Sequence, residues 1–152
     1  MRVEVVEPGS SIKRIESQLW LLDSIFLPPL SERVNIKEYA GKLSQKAYIV
    51  YAREKEDLGH CAIYINEGGM AFISSFGVRK EFHCNNIGSL MMQKVKEICL
   101  RMHCKEIVLE AYKENGRAVY FYQKHEFEIF EESMKWYKMR CELKKRFANE
   151  LV

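Results

Sequence analysis

Residues 78–90 leave an apolar stretch, turn over about eight residues and enter an amphipathic run. A helix N-terminus leaves backbone N–H groups unpaired and carries partial positive charge. A turn of this kind is therefore a seat for an anion such as a pyrophosphate. Gly88 and Ser89 are small enough for a phosphate to approach the backbone, and Arg79, Lys80 and His83 add positive charge. The competing reading is a plain strand-to-helix connection with Asn85 or Asn86 as N-cap. Further on, Asn115 opens a helix just past a strand, where its amide can cap the helix or bond a ligand amide. Tyr122 lies two helical turns later and shares that face. Taken alone, it reads as a half-buried helix tyrosine. Glu110 lies near the end of the preceding strand, either as a proton acceptor or as a carboxylate paired with a Lys or Arg.

These residues need elements to hold them. Residues 3–6 read as a first strand, followed by a Pro8-Gly9-Ser10 turn with Ser10 or Ser11 as N-cap. Ile12, Ile15, Leu19, Leu22 and Phe26 recur at helical spacing, and Pro28-Pro29 stops that helix. Asn35 and Glu38 are spaced as an N-cap and its N3 partner, opening a short helix over residues 36–43. Residues 47–53, 58–66 and 70–78 are β-like, with short polar connections that predict antiparallel hairpins. Ile87, Leu90, Met91, Val95, Ile98 and Met102 then form a helical stripe. A strand over 105–112, a helix over 115–124 and strands over 127–130 and 134–143 follow, with a helical turn or frayed end at 144–152. The order predicts an α/β (α+β) fold: one domain over residues 1–152, built on a mixed, mostly antiparallel sheet of about six to seven strands with helices on both faces.

Composition narrows the classes. Of 152 residues, 47% are hydrophobic and 30% charged, and the net charge is +3. That charge is spread among acidic residues, which argues against a nucleic-acid surface. No apolar run approaches the roughly 20 residues a membrane span needs, and the first residues lack a signal-peptide core. Five cysteines without regular spacing indicate free thiols in a reducing, cytoplasmic setting. Cys99, His103 and Cys104 lack a second cluster to complete a metal site, so no metal is expected.

The order of elements, together with two motifs, resembles the GNAT acetyltransferase family. The family's acyl-CoA turn is R/Q-x-x-G-x-G/A, followed by small-x-L-hydrophobic. Here it reads His83-Cys84-Asn85-Asn86-Ile87-Gly88, then Ser89-Leu90-Met91. His83 replaces the usual Arg or Gln, and Asn86 the first Gly. Asparagine is among the few residues that tolerate positive φ. Downstream, Asn115, Ala118, Phe121, Tyr122, Lys124 and Phe127 fall in register with the family's N-x-x-A-x-x-F/L-Y-x-K-x-G-F. Glu126 stands where a glycine usually ends the helix.

The resemblance implies acetyl-CoA as co-substrate and direct transfer to an amine of a small-molecule acceptor. A CoA- or partner-binding module without activity is the alternative. It implies main-chain contacts to the pantetheine arm at Phe76 and Val78 on a strand splayed from its neighbour, with Gly77 fitting a bulge there. It places residues 83–89 at the pyrophosphate, Tyr122 as the acid that protonates the thiolate and Glu110 as the candidate base. His125 and His60 rank lower as bases. An acyl-cysteine route through Cys84 has no paired histidine to support it. Family members are often homodimers. Arg33 or Glu32, in the apolar loop after the first helix, is a candidate reader of an acceptor carboxylate or amine, against a surface ion pair. Tyr39, Tyr48 and Tyr64 either line a pocket or simply pack.

Overall fold

The computed structural model describes residues 1–83 and 85–143. Cys84 and the expected helical turn at 144–152 lie outside the described residues. The elements run β1 (Arg2–Val6), α1 (Ile12–Leu22), α2 (Ile36–Lys46), β2 (Tyr48–Arg53), β3 (Asp57–Ile65), β4 (Met70–Val78), α3 (Ile87–Arg101), β5 (Glu106–Tyr112), α4 (Gly116–Lys124), β6 (Glu128–Glu132) and β7 (Trp136–Glu142). Two short 3-10 turns, Leu30–Glu32 and Lys80–Phe82, were not legible in the pattern.

The seven strands form one mixed sheet in the order β1-β2-β3-β4-β5-β7-β6. Every neighbouring pair is antiparallel except β4 and β5. Alternation along β2 shows how both faces are covered. Ile49 and Tyr51 pack with Ile15 and Leu19 of α1 and Leu43 of α2. Val50 and Ala52 face the other way, with Met91, Met92 and Val95 of α3. Each fully buried Leu or Ile of this kind contributes about 1.5–3 kcal/mol relative to exposure. Leu90 and Met102, expected in the α3 stripe, are exposed instead. The buried arc of the helix runs through Ile87, Met91, Val95, Ile98 and Cys99.

The first helix is shorter than its periodicity suggested. It ends at Leu22, before Pro28-Pro29. The carboxylate of Asp23 accepts bonds from the Ser31 N–H and hydroxyl, both at 2.7 Å, which folds residues 24–30 into a loop. Phe26 leaves the helix and lies against Gly77, whose added Cβ would sit 3.3 Å from the Phe26 ring and 3.2 Å from Leu22. Gly77 therefore serves close packing of α1 and its loop on β4. The bulge expected there lies elsewhere: Gly77 pairs regularly with His60, and the register shifts where Ser74 is skipped between Ile73 and Ser75.

The caps follow the sequence. Ser11 accepts from Arg14 N–H at 3.2 Å, and Asn35 from Glu38 N–H at 3.0 Å. Arg14 adds a contact that periodicity does not reveal. It bonds both Asp57 carboxylate oxygens at 2.8 Å, reaches Glu4, and stacks on the Tyr51 ring 3.6 Å away. This ties α1 to β1, β2 and β3. Burial pushes the Tyr51 phenol up to about 12. None of the helices among the described residues is long and apolar enough to cross a membrane.

Candidate active site

The parallel pair β4–β5 is joined only at Met70–Phe72 against Glu106–Val108. Past Phe72 the two strands part, and the gap opens into a cleft of about 950 Å³. Residues 73–78 of β4 form one wall and residues 109–112 of β5 the other. Backbone groups on this side of β4 are left without a strand partner, which suits an extended ligand lying alongside.

At one end lies the start of α3. Asn86 occupies the N-cap position with φ 63°, the left-handed region, and its side chain makes no capping bond. Asn86 thus takes the N-cap position expected of Asn85 or Asn86 without bonding the first turn, whose N–H groups get no side-chain acceptor from it. Gly88 and Ser89 line the cleft here, with Lys80 and Lys124. An added Cβ on Gly88 would sit 3.3 Å from the Phe121 ring, so the glycine lets α4 close onto α3. Ser89 is also held from α4: its hydroxyl lies 3.0 Å from His125 Nε2. Burial and nearby Lys96 and Lys124 push the His125 imidazole down. His83 does not project freely toward this end. Its Nε2 donates to the Val78 carbonyl at 2.7 Å, while Nδ1 is buried without a partner among the described residues.

In the middle stands Tyr122. It is half-buried at the cleft wall, with the rings of Phe76 at 6.2 Å and Phe127 at 5.8 Å. Burial among these rings, with a smaller effect from Cys61, pushes its phenol up, so it stays protonated throughout the physiological range. Asn115 caps α4 by accepting from Ala118 N–H at 3.2 Å and also lines the cleft. The other end of α4 closes in a Schellman pattern: Phe127 N–H bonds the Tyr122 carbonyl at 3.0 Å and Glu126 N–H the Gln123 carbonyl at 3.1 Å. Glu126 sits at φ 74° there. The left-handed conformation costs a non-glycine residue about 1 kcal/mol, without touching the cleft.

Glu110 is exposed on the opposite wall. Its cross-strand neighbour is Lys138, yet that ammonium pairs with Glu131 at 3.0 Å. Among the described residues no cation lies within ion-pair distance of Glu110.

The cleft thus gathers Phe76, Gly77, Val78, His83, Asn86, Ile87, Gly88, Ser89, Glu110, Asn115 and Tyr122. Asn85 is exposed and not part of its lining. His60, one of the lower-ranked bases, is fully buried and does not line the cleft. It reaches it only through Ser75, whose hydroxyl is 2.8 Å from His60 Nε2. Ser74 beside it bonds the Tyr39 phenol. Tyr39, Tyr48 and Tyr64 do not line the cleft; Tyr39 and Tyr64 pack against the core under α1 and α2. Sequence reasoning missed Tyr112 and Trp136, which stack edge-on at 5.2 Å and line the cleft. Their adjacency depends on the β5–β7 register, a long-range pairing with no local signal. Cys61, Cys99 and Cys104 are buried free thiols, and Cys141 is buried with them. Among the described residues no three His, Cys, Asp or Glu side chains are grouped to hold a metal.

The sheet is thus split between β4 and β5, with a helix start that Asn86 leaves without a side-chain cap at one end of the gap. Residues 14–127 match the sequence profile of the Acetyltransferase (GNAT) family, and the chain belongs to that family. It is 36% identical over 82 residues to N-alpha-acetyltransferase 60 of Danio rerio, covering 52% of this chain and 34% of the relative. It is 31% identical over 84 residues to streptothricin acetyltransferase A of Bacillus subtilis (strain 168), covering 55% of this chain and 49% of the relative. The chain thus spans half or less of the length of these relatives. Its fold is similar to PaiA N-acetyltransferase of Thermoplasma acidophilum in complex with coenzyme A, with TM-score 0.74 at 15% identity over 93% of this chain and 99% of that one. It is also similar to Ard1 of Thermoplasma volcanium, with TM-score 0.73 at 20% identity over 93% and 98%.

Proposed function

We propose that the cleft binds acetyl-CoA and transfers its acetyl group directly to the amine of a small-molecule acceptor. The carrying observation is the continuity of one cleft from the α3 start, past Tyr122, to Glu110. The residues present fit the donor. The α3 N–H groups at Gly88 and Ser89 suit the pyrophosphate, because Asn86 adopts the left-handed turn that leaves them uncapped. The unpartnered edge at Phe76 and Val78 suits the amides of the pantetheine arm, and Asn115 offers a further amide. Acetyl-CoA supplies the activated thioester.

The chain's residues do the rest. An amine is mostly protonated at neutral pH, and Glu110 takes that proton, directly or through water. The nitrogen–carbonyl bond forms as the carbon–sulfur bond breaks. The departing thiolate takes its proton from the Tyr122 phenol, and the second proton shed by the nitrogen restores that phenol through water. Holding both reactants in one cleft supplies much of the acceleration.

Support for the non-catalytic alternative comes from His83, whose ring is tied to the Val78 carbonyl instead of being open to the ligand. The experiment is thiol release from acetyl-CoA across a panel of primary amines. Amine-dependent release is expected. Binding of acetyl-CoA without release for any amine or peptide contradicts the transfer reading.

A further inference from the structure

The far arm of the cleft carries a second charged device, and its meaning rests on the transfer reading above. Arg33 follows the Leu30–Glu32 turn, with its N–H bonded to the Leu30 carbonyl at 2.9 Å. The Asp23–Ser31 bonds tie the loop that presents it. Its guanidinium carbon lies 5.3 Å from the centre of the Trp136 ring, and both residues line the cleft. Among the described residues no carboxylate lies within ion-pair distance of Arg33. A guanidinium stacked on an indole keeps its N–H donors in its own plane, ready for a bidentate carboxylate. Glu32, the other candidate from the loop, does not line the cleft.

The opposite charge lies further along the same wall. Trp136 meets Tyr112 at 5.2 Å between ring centres, and Glu110 is two residues before Tyr112 on the same strand face. That is about 7 Å of strand. The order along the wall is therefore cation, two aromatic rings, anion. An α-amino acid carries its amine and carboxylate on one carbon and cannot reach both charges across two rings. An acceptor with several methylenes between them can, and its apolar middle would lie on Trp136 and Tyr112.

We propose that the acceptor is an ω-amino carboxylate: a primary amine presented at Glu110 with a carboxylate several bonds away, held by Arg33. Arg33 then sets specificity and takes no part in the bond-making.

The test compares 6-aminohexanoate with its uncharged amide, and with hexylamine, as acceptors for the wild-type chain and for Arg33→Gln and Arg33→Glu. In the wild type the carboxylate is expected to raise kcat/KM about tenfold or more over the amide, chiefly through KM. Arg33→Gln should bring that ratio close to one. Arg33→Glu should invert it, favouring 1,6-diaminohexane over 6-aminohexanoate, a gain that misfolding does not produce. Equal use of carboxylate and amide by the wild type, or an unchanged ratio in both variants, overturns the Arg33 assignment and leaves acetyl transfer standing. Preference for α-amino acids, or for peptides over ω-amino carboxylates, overturns the spacing. Absence of thiol release with every acceptor, despite acetyl-CoA binding, overturns the transfer reading and this one with it.

Discussion

Replacing Tyr122 with phenylalanine is expected to lower kcat by about 100-fold, the usual scale for removing a positioned general acid, while the affinity for acetyl-CoA changes little. Phenylalanine preserves the ring contacts with Phe76 and Phe127 that place this side chain, so the cleft wall should keep its shape. What disappears is the O–H. Burial holds that phenol protonated, so its O–H is in place for a sulfur that gains charge as the carbon–sulfur bond breaks. It also makes the phenol a weak acid, so its hydrogen bond should matter most late in the step, when the thiolate is fully formed. Steady-state kinetics on an amine that the wild type acetylates, together with calorimetry on both proteins, checks this. An unchanged kcat removes Tyr122 from the chemistry. A large loss of affinity with kcat intact assigns it to donor binding instead.

The second large effect is on stability in acid. His60 is fully buried in β3, and burial pushes its imidazole down to about 4. An exposed histidine titrates near 6.5. Between these values the unfolded chain binds a proton that the folded chain does not, so the equilibrium shifts toward unfolding as pH falls. The stability associated with neutral His60 is whole above about pH 6.5 and is lost progressively toward pH 4. The full loss is about 3 kcal/mol, from the shift and about 1.4 kcal/mol per unit. The neutral ring is bonded on one side, at Ser75, while Nδ1 is buried without a partner among the described residues, and the Asp57 carboxylate offsets only part of the effect of burial. Denaturant unfolding of the wild type and His60→Gln at pH 7 and pH 4.5 separates this group from the carboxylates. The stability difference between the two proteins should move by about 2–3 kcal/mol in favour of the variant at the lower pH. A difference that does not change with pH contradicts the assignment.

Much of the arrangement was legible from local pattern. Caps are local chemistry, so Asn35 and Asn115 could be placed from side-chain type and spacing, and the first cap narrowed to Ser10 or Ser11, of which Ser11 makes the bond. The left-handed turn at Asn86 was legible only through the resemblance, where Asn86 replaces the motif's first glycine and asparagine is among the few residues that enter that region readily. The bulge was misplaced because a strand glycine has two meanings. At Gly77 close packing by Leu22 and Phe26 is the reason for it, and the register slip at Ser74 has no glycine to mark it. Likewise α1 stops early because Asp23 captures Ser31 across a loop, a contact that periodicity cannot report. The far arm of the cleft was least legible. Arg33, Trp136 and Tyr112 come from three distant segments, and only strand register and a folded loop bring them together.

Everything proposed for the chemistry depends on the donor entering between β4 and β5. Calorimetric titration of the protein with acetyl-CoA measures that most directly. Saturable one-site binding is predicted, with a dissociation constant within the about 1 μM to 1 mM span usual for enzyme substrates. Absence of binding at millimolar acetyl-CoA would contradict the transferase reading, and would leave the His83–Val78 contact as the mark of a cleft closed to its family's donor.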